Sequence, residues 1–191
     1  TNLGAEGYVG EEKVKGIDLR DCGSGGTGFA NAKRELGTKW GLVVLLGDIF
    51  KGAFPLLNAY LLTKHGLMEF TDLQIMLFGY AVLFGHCYSI FIDWKGGKGV
   101  ATSCGVLLII HPAIAVSGFF CWLLILFITK KSSFGSLLGI LMALTTSVVL
   151  FYMGIISLTS LITVIVIMFW IINTHRENIK RLIEKRERNS V

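Results

Sequence analysis

Three polar segments, set between long apolar stretches, hold residue types that bind anionic oxygen. In Gly23-Ser24-Gly25-Gly26-Thr27-Gly28 the glycines let backbone N–H groups turn toward a phosphate. Ser24 adds a hydroxyl there, and Arg34 adds a bidentate fork shortly after. Read alone, such a glycine run is also what a flexible loop contains. In Lys95-Gly96-Gly97-Lys98-Gly99-Val100-Ala101-Thr102 two ammonium groups stand with N–H donors where an apolar helix begins, so lysine charge and helix dipole favour the same anion. This is not a Walker A loop, because Lys98 is followed by Gly99 rather than Ser or Thr. Lys95 equally suits lipid headgroups, whereas the glycines hold Lys98 close to the backbone. The third segment is His175-Arg176-Glu177-Asn178-Ile179-Lys180-Arg181, directly after an apolar run. On a continuing helix His175 and Asn178 share a face and aim at one ligand; the plain alternative is a basic stop at the membrane surface.

Asp48 and Lys51 also lie on one helical face, but inside an apolar run, where a charge is costly unless paired. They are expected to pair and to face other helices rather than lipid. His86 ends an apolar run as a lone histidine, which reads as a packing or hydrogen-bonding residue more readily than as a base. Cys22, Cys87, Cys104 and Cys121 show no CxxC pair and no metal-ligand spacing and read as small hydrophobes. No metal site and no cofactor are expected.

The elements that must position these groups are membrane helices. Of 191 residues, 53% are hydrophobic and 16% charged, with a mean hydropathy of +0.65, which is too apolar for an ordinary soluble helical domain. Runs long enough to cross about 30 Å of hydrocarbon lie at Gly41 to Leu62, Leu73 to Ile92, Phe134 to Met153 and Ile156 to Ile172. Gly99 to Thr129 is apolar but interrupted by His111 and Pro112, which predicts a hairpin of two shorter or tilted helices. The fold class expected is an all-α, polytopic membrane helix bundle with six spans in a single integral membrane domain, 1–191. Residues 1–40 form a polar segment with the glycine-rich loop, 41–172 the membrane helices and 173–191 a basic tail.

With alternate loops on the same side, nearly all Lys and Arg share one face and only Lys64 stands opposite, beside Glu69 and Asp72. The positive-inside rule makes the crowded face cytoplasmic. The net charge of +5 fits an anionic membrane surface and phosphorylated substrates; no basic motif with interleaved aromatics speaks for nucleic acid. No apolar span or signal peptide precedes residue 40, so an upstream helix is expected to be missing from this sequence.

The motifs together resemble those of the bacterial acyl-phosphate:glycerol-3-phosphate acyltransferases, the PlsY family. The pattern GSGNxGxTNxxR is matched from Gly23 to Arg34, with Gly26 in place of Asn and Ala30 in place of Thr. DxxKGxxP is matched by Asp48, Lys51, Gly52 and Pro55. GHxxPxFxxFxGGKGVAT is matched from Gly85 to Thr102, with Ser89 for Pro and Trp94 for Phe. HRxNIxRL is matched throughout, from His175 to Leu182.

The resemblance implies a seven-helix protein of the bacterial cell membrane whose active site opens to the cytoplasm, the first helix being the one absent here. It implies acyl transfer from acyl phosphate to the 1-hydroxyl of glycerol 3-phosphate, giving lysophosphatidic acid, with membrane lipids as surroundings and no acyl-CoA donor. In agreement, no His is followed by an Asp at the HxxxxD spacing of acyl-CoA-type acyltransferases. Ser24, Arg34, Lys98, His175 and Asn178 are the catalytic residues expected. Gly25, Gly28, Asn31, Lys51, Gly96, Gly97 and Ser133 are the further substrate contacts. Either His175 or the donor's own phosphate takes the proton. A small anion transporter would use the same lysines and glycines to line a path, but the inverted repeat typical of such proteins is not seen. A purely structural membrane subunit leaves the glycine-rich loops unexplained.

Overall fold

The computed structural model describes residues 8–9, 12–13 and 19–189. A minimal antiparallel pair, β1 (Tyr8–Val9) and β2 (Glu12–Lys13), precedes an otherwise helical chain and is an addition to the all-α expectation. The polar segment expected over 1–40 falls partly on residues 1–7, 10–11 and 14–18, outside the described residues. The helices are α1 (Phe29–Leu36), α2 (Thr38–Lys64), α3 (Asp72–Cys87), α4 (Val100–Ile110), α5 (Pro112–Thr129), α6 (Ser132–Tyr152), α7 (Leu158–Thr174) and α8 (Arg176–Ile183).

Local chemistry sets most of the boundaries. Gly37, at φ +92°, ends α1 and starts α2. Thr71 and Gln74 form a reciprocal capping box at the start of α3. The predicted hairpin turns at His111, whose Nδ1 accepts from the Ala113 N–H, with Pro112 in the first turn of α5 where its missing N–H costs nothing. Two boundaries differ from expectation. The run from Leu73 to Ile92 is not one regular α-helix: α3 stops at Cys87, where Tyr88 leaves helical geometry (φ -125°, ψ 61°), and a 3-10 turn covers Ile90–Ile92 before Asp93 and Trp94, both at positive φ, lead toward Lys98. The chain also does not run straight through His175, since α7 and α8 meet there at 61°.

Among the described residues four helices, α2, α3 with its 3-10 extension, α5 and α6, are long and apolar enough to cross a membrane, and the bent α7–α8 pair makes up to five, fewer than the six spans expected. At about 1.5 Å per residue α4 is roughly 17 Å long, so it reaches only part-way across and α5 completes the hairpin. The outward faces carry Leu46, Phe50, Phe120, Phe127 and Phe169, each more than 60% exposed, which suits hydrocarbon and not water.

With lipid as solvent, burial of apolar area does not drive helices together, and close packing takes over. Two helix pairs show this. Where α2 crosses α4, a Cβ on Gly52 would stand 2.1 Å from the Thr102 carbonyl oxygen and one on Gly105 would stand 2.1 Å from that of Ile49. Gly118, Gly135 and Gly139 bring α5 and α6 together in the same way. Between these pairs α7 contributes Val164, Ile167 and Ile171 to a core shared with Leu56, Leu83, Val106 and Ile114.

Candidate active site

At one end of the bundle the three polar segments converge on a cavity of about 300 Å³. Its mouth is lined by Ser24, Arg34, Lys98, Ser133, His175, Asn178, Arg181, Glu187 and Arg188, and its floor by Leu107, Ile114, Ala115, Ile140 and Ala143 of α4, α5 and α6. All five residues expected to be catalytic therefore share one space. Of the further expected contacts, Gly28, Asn31, Gly97 and Ser133 line it, while Gly25, Gly96 and Lys51 do not.

The glycine-rich loop is held from within by Asn31 on α1. The buried Asn31 amide accepts at Oδ1 from the Ser24 N–H (2.9 Å), the Ser24 hydroxyl (3.2 Å) and Arg34 Nη2 (3.1 Å). Its Nδ2 donates to the carbonyls of Leu19 and Cys22, both at 3.0 Å. Arg34 Nη2 also donates to Ser24 Oγ at 3.1 Å. Asn31 thus acts on the loop and on Arg34, and the Ser24 and Gly25 N–H groups are already engaged, by Asn31 and by the Cys22 carbonyl. These two backbone donors are therefore not free as in an open anion nest, while the Ser24 and Arg34 side chains line the cavity.

The second segment is built on close contact. Gly96 N–H donates to the Cys87 carbonyl and Gly97 N–H to that of His86. A Cβ on Gly96 would stand 2.0 Å from the His86 carbonyl oxygen, and one on Gly97 2.2 Å from His86 Nε2. These glycines press the segment against α3 and deliver Lys98 to the mouth. Lys98 donates to Asn178 Oδ1, and Thr174 Oγ1 donates to the Lys98 carbonyl at 2.9 Å, tying the segment to the end of α7. Burial pushes the Lys98 ammonium down to about 8; Glu187 opposes that shift, and the Arg181 and Arg34 charges add to it.

His175 is buried at the α7–α8 bend. Its Nδ1 lies 2.8 Å from the Ile171 carbonyl, which can only accept, so the proton sits on Nδ1 and Nε2 is the acceptor. Asn178, in the first turn of α8, bridges Lys98 and Glu187: its Nδ2 donates to Glu187 Oε1 at 2.7 Å. The bend, rather than a continuing helix, turns both residues into the cavity.

Asp48 and Lys51 pair at 2.6 Å as expected, with Asp48 buried and His86 Nδ1 3.7 Å from the same carboxylate oxygen. Asp48 and His86 line the cavity, and Lys51 lies behind them.

Reading the sequence missed Glu187 and Arg188. Glu187 Oε1 also accepts from the Ser133 hydroxyl at 2.6 Å and Oε2 from Arg181 Nε at 3.1 Å. Burial alone would raise this carboxyl, but donation from Ser133, Asn178 and Arg181 outweighs it and holds the group below the usual carboxylate range. Nothing in the run Glu184-Lys185-Arg186-Glu187-Arg188 separates one acid from its basic neighbours. Only its contacts do.

The family model described as glycerol-3-phosphate acyltransferase matches residues 5–185. The chain belongs to that family. A glycerol-3-phosphate acyltransferase of Aquifex aeolicus is 40% identical over 92% of this chain and 86% of its own length. One of Bacillus subtilis is 38% identical over 95% and 88%. Among solved structures, the crystal structure of PlsY, an integral membrane glycerol 3-phosphate acyltransferase, in its glycerol 3-phosphate form is similar, with a TM-score of 0.79 and 37% identity over 92% of this chain and 83% of that one. Its lysophosphatidic acid form gives a TM-score of 0.75 at 36% identity, over 87% and 80%. These findings establish the integral membrane helix bundle and bear out the resemblance drawn from the motifs.

Proposed function

We propose that this chain transfers an acyl group from acyl phosphate to the 1-hydroxyl of glycerol 3-phosphate, giving lysophosphatidic acid and phosphate in bacterial phospholipid synthesis. The observation that carries this reading is one cavity with two characters: a mouth of cations and hydroxyls, suited to phosphate and glycerol, above an apolar floor between α4, α5 and α6, suited to an acyl chain.

Arg34, Lys98 and Ser24 hold phosphate, and bring two mutually repelling dianions within reaction distance. Asn178 and His175 orient the glycerol part. The 1-hydroxyl oxygen attacks the acyl carbonyl carbon, the carbon–oxygen bond to phosphate breaks, and phosphate leaves with the bonding pair. The hydroxyl proton passes to His175 Nε2 or to the departing phosphate. The donor is already an activated mixed anhydride, so no acyl-enzyme is required. The mouth faces the cytoplasm, on the strength of the Lys and Arg bias among the loops.

Purified protein supplied with palmitoyl phosphate and glycerol 3-phosphate is expected to form lysophosphatidic acid with release of phosphate. Palmitoyl-CoA is expected to yield none, and equal turnover with it would overturn the donor assignment.

A further inference from the structure

The C-terminal tail does not leave the membrane surface after α8 but returns across the mouth of the cavity. Glu187 is fastened there by Ser133, Asn178 and Arg181, and this fixes where the next residue falls. Arg188 then lines the same cavity as Ser24, Arg34 and Lys98. Its Nη1 donates to the carbonyl of Gly23, at the start of the glycine-rich loop. Arg34 Nη1 in turn donates to the Asn189 carbonyl at 3.4 Å, so loop and tail are joined by a guanidinium from each side.

We infer that Arg188 is a further substrate-positioning residue, a tail cation that clasps the glycine-rich loop at Gly23 and adds to the field that binds the phosphate of glycerol 3-phosphate. The inference rests on the acyltransferase reading. Among the described residues four cations line the mouth, Arg34, Lys98, Arg181 and Arg188, and Glu187 neutralises one. Two phosphate-bearing substrates bring close to four negative charges, so each remaining cation bears on affinity. Burial lowers the Arg34 pKa, Glu35 opposes this, and the Arg188 charge adds to the lowering, which places the two guanidiniums within electrostatic reach of each other. Arg188 is itself exposed, so solvent and salt limit its influence. Its expected signature is on binding and not on the chemical step.

The test is steady-state kinetics of the purified Arg188→Ala, Arg188→Lys and Arg188→Gln variants, with palmitoyl phosphate saturating and glycerol 3-phosphate varied. Arg186→Ala serves as control, since Arg186 pairs with Glu184 and does not line the cavity. Arg188→Ala is expected to raise KM for glycerol 3-phosphate about threefold to tenfold, with kcat within about twofold and the difference shrinking at high salt. Arg188→Lys, which keeps the charge, is expected to recover part of the loss. Where Arg188→Ala does not give folded protein, Arg188→Gln decides. An unchanged KM, or an equal rise in Arg186→Ala, overturns the inference while leaving the acyltransferase reading intact. No turnover by the wild-type protein overturns that reading, and the inference with it.

Discussion

The two glycine-rich segments look alike in sequence and are built on opposite principles. In the loop from Gly23 to Gly28, two glycines take positive φ, +61° at Gly23 and +69° at Gly25, and the chain curls around the Asn31 amide. Gly26 and Gly28 are roomy, with no heavy atom closer than 3.7 Å to an added Cβ. In the segment from Lys95 to Gly99 the glycines at 96 and 97 serve close approach to His86, and only Gly99, the residue before α4, needs positive φ. The first loop uses glycine chiefly for its turn, although Gly23 also lets Asn31 and Glu35 approach, an added Cβ standing 2.3 Å from Asn31 Oδ1; the second uses it chiefly for packing, and each ends by presenting one or two side chains. Glycine content alone therefore does not mark backbone N–H groups as phosphate donors.

The largest effect expected from this contrast is for Gly96→Ala, whose Cβ meets a backbone oxygen that cannot swing aside. It should displace Lys98 and lower kcat/KM more than about a hundredfold, whereas Gly26→Ala should stay within about threefold. Comparable losses in the two variants would erase the distinction.

Next comes Lys98→Ala, expected to cost roughly tenfold to a hundredfold in activity, as for a lost charge-assisted contact of about 1.5 to 3 kcal/mol, against little change for the exposed Lys95→Ala. The Lys98 site sharpens this further through pH. With its ammonium held at about 8, the charge proposed to bind phosphate is present below that value and lost as pH rises through it. For the free enzyme, kcat/KM for glycerol 3-phosphate should fall above pH 8 or so, and Lys98→Arg should move the fall upward. A flat profile from pH 7 to about 9.5 would show that Lys98 keeps its proton.

The smallest effect belongs to Gly26 and Ala30. Both line the cavity, and both lack the amide and hydroxyl of the family motif they otherwise match. The double variant Gly26→Asn with Ala30→Thr is expected to raise kcat/KM for glycerol 3-phosphate by about fivefold, near the net worth of one or two neutral hydrogen bonds. An unchanged value in folded protein would make both positions mere loop filler.

Part of this site was readable before any coordinates. Lys98, His175 and Asn178 border apolar runs, Ser24 and Arg34 lie in the polar segment that precedes the first one, and polar residues next to successive spans on one side of a membrane have few other places to meet. Asp48 and Lys51 were readable as a pair because their spacing is that of a helix face. Lys51 nevertheless lies behind Asp48, outside the cavity, and spacing has no means of telling front from back. The role of Asn31 was equally hidden: its neighbours in the motif suggest ligand contact, yet its amide is taken up by the loop it supports.

By itself the sequence determined the membrane bundle, the order of its helices and the end at which chemistry gathers. These follow from local physics, namely apolar length against hydrocarbon thickness, the cost of unpaired backbone in lipid, and caps written in adjacent residues. Only the tertiary structure decided the 61° bend that turns His175 and Asn178 inward, the close contact of Gly96 and Gly97 with His86, and the return of the tail that brings Glu187 to Ser133 and Arg188 to Gly23. Those contacts join residues 54 and 165 positions apart in polar segments without periodicity, and nothing in the pattern of neighbours along the chain encodes which distant donor a single carboxylate or carbonyl will meet.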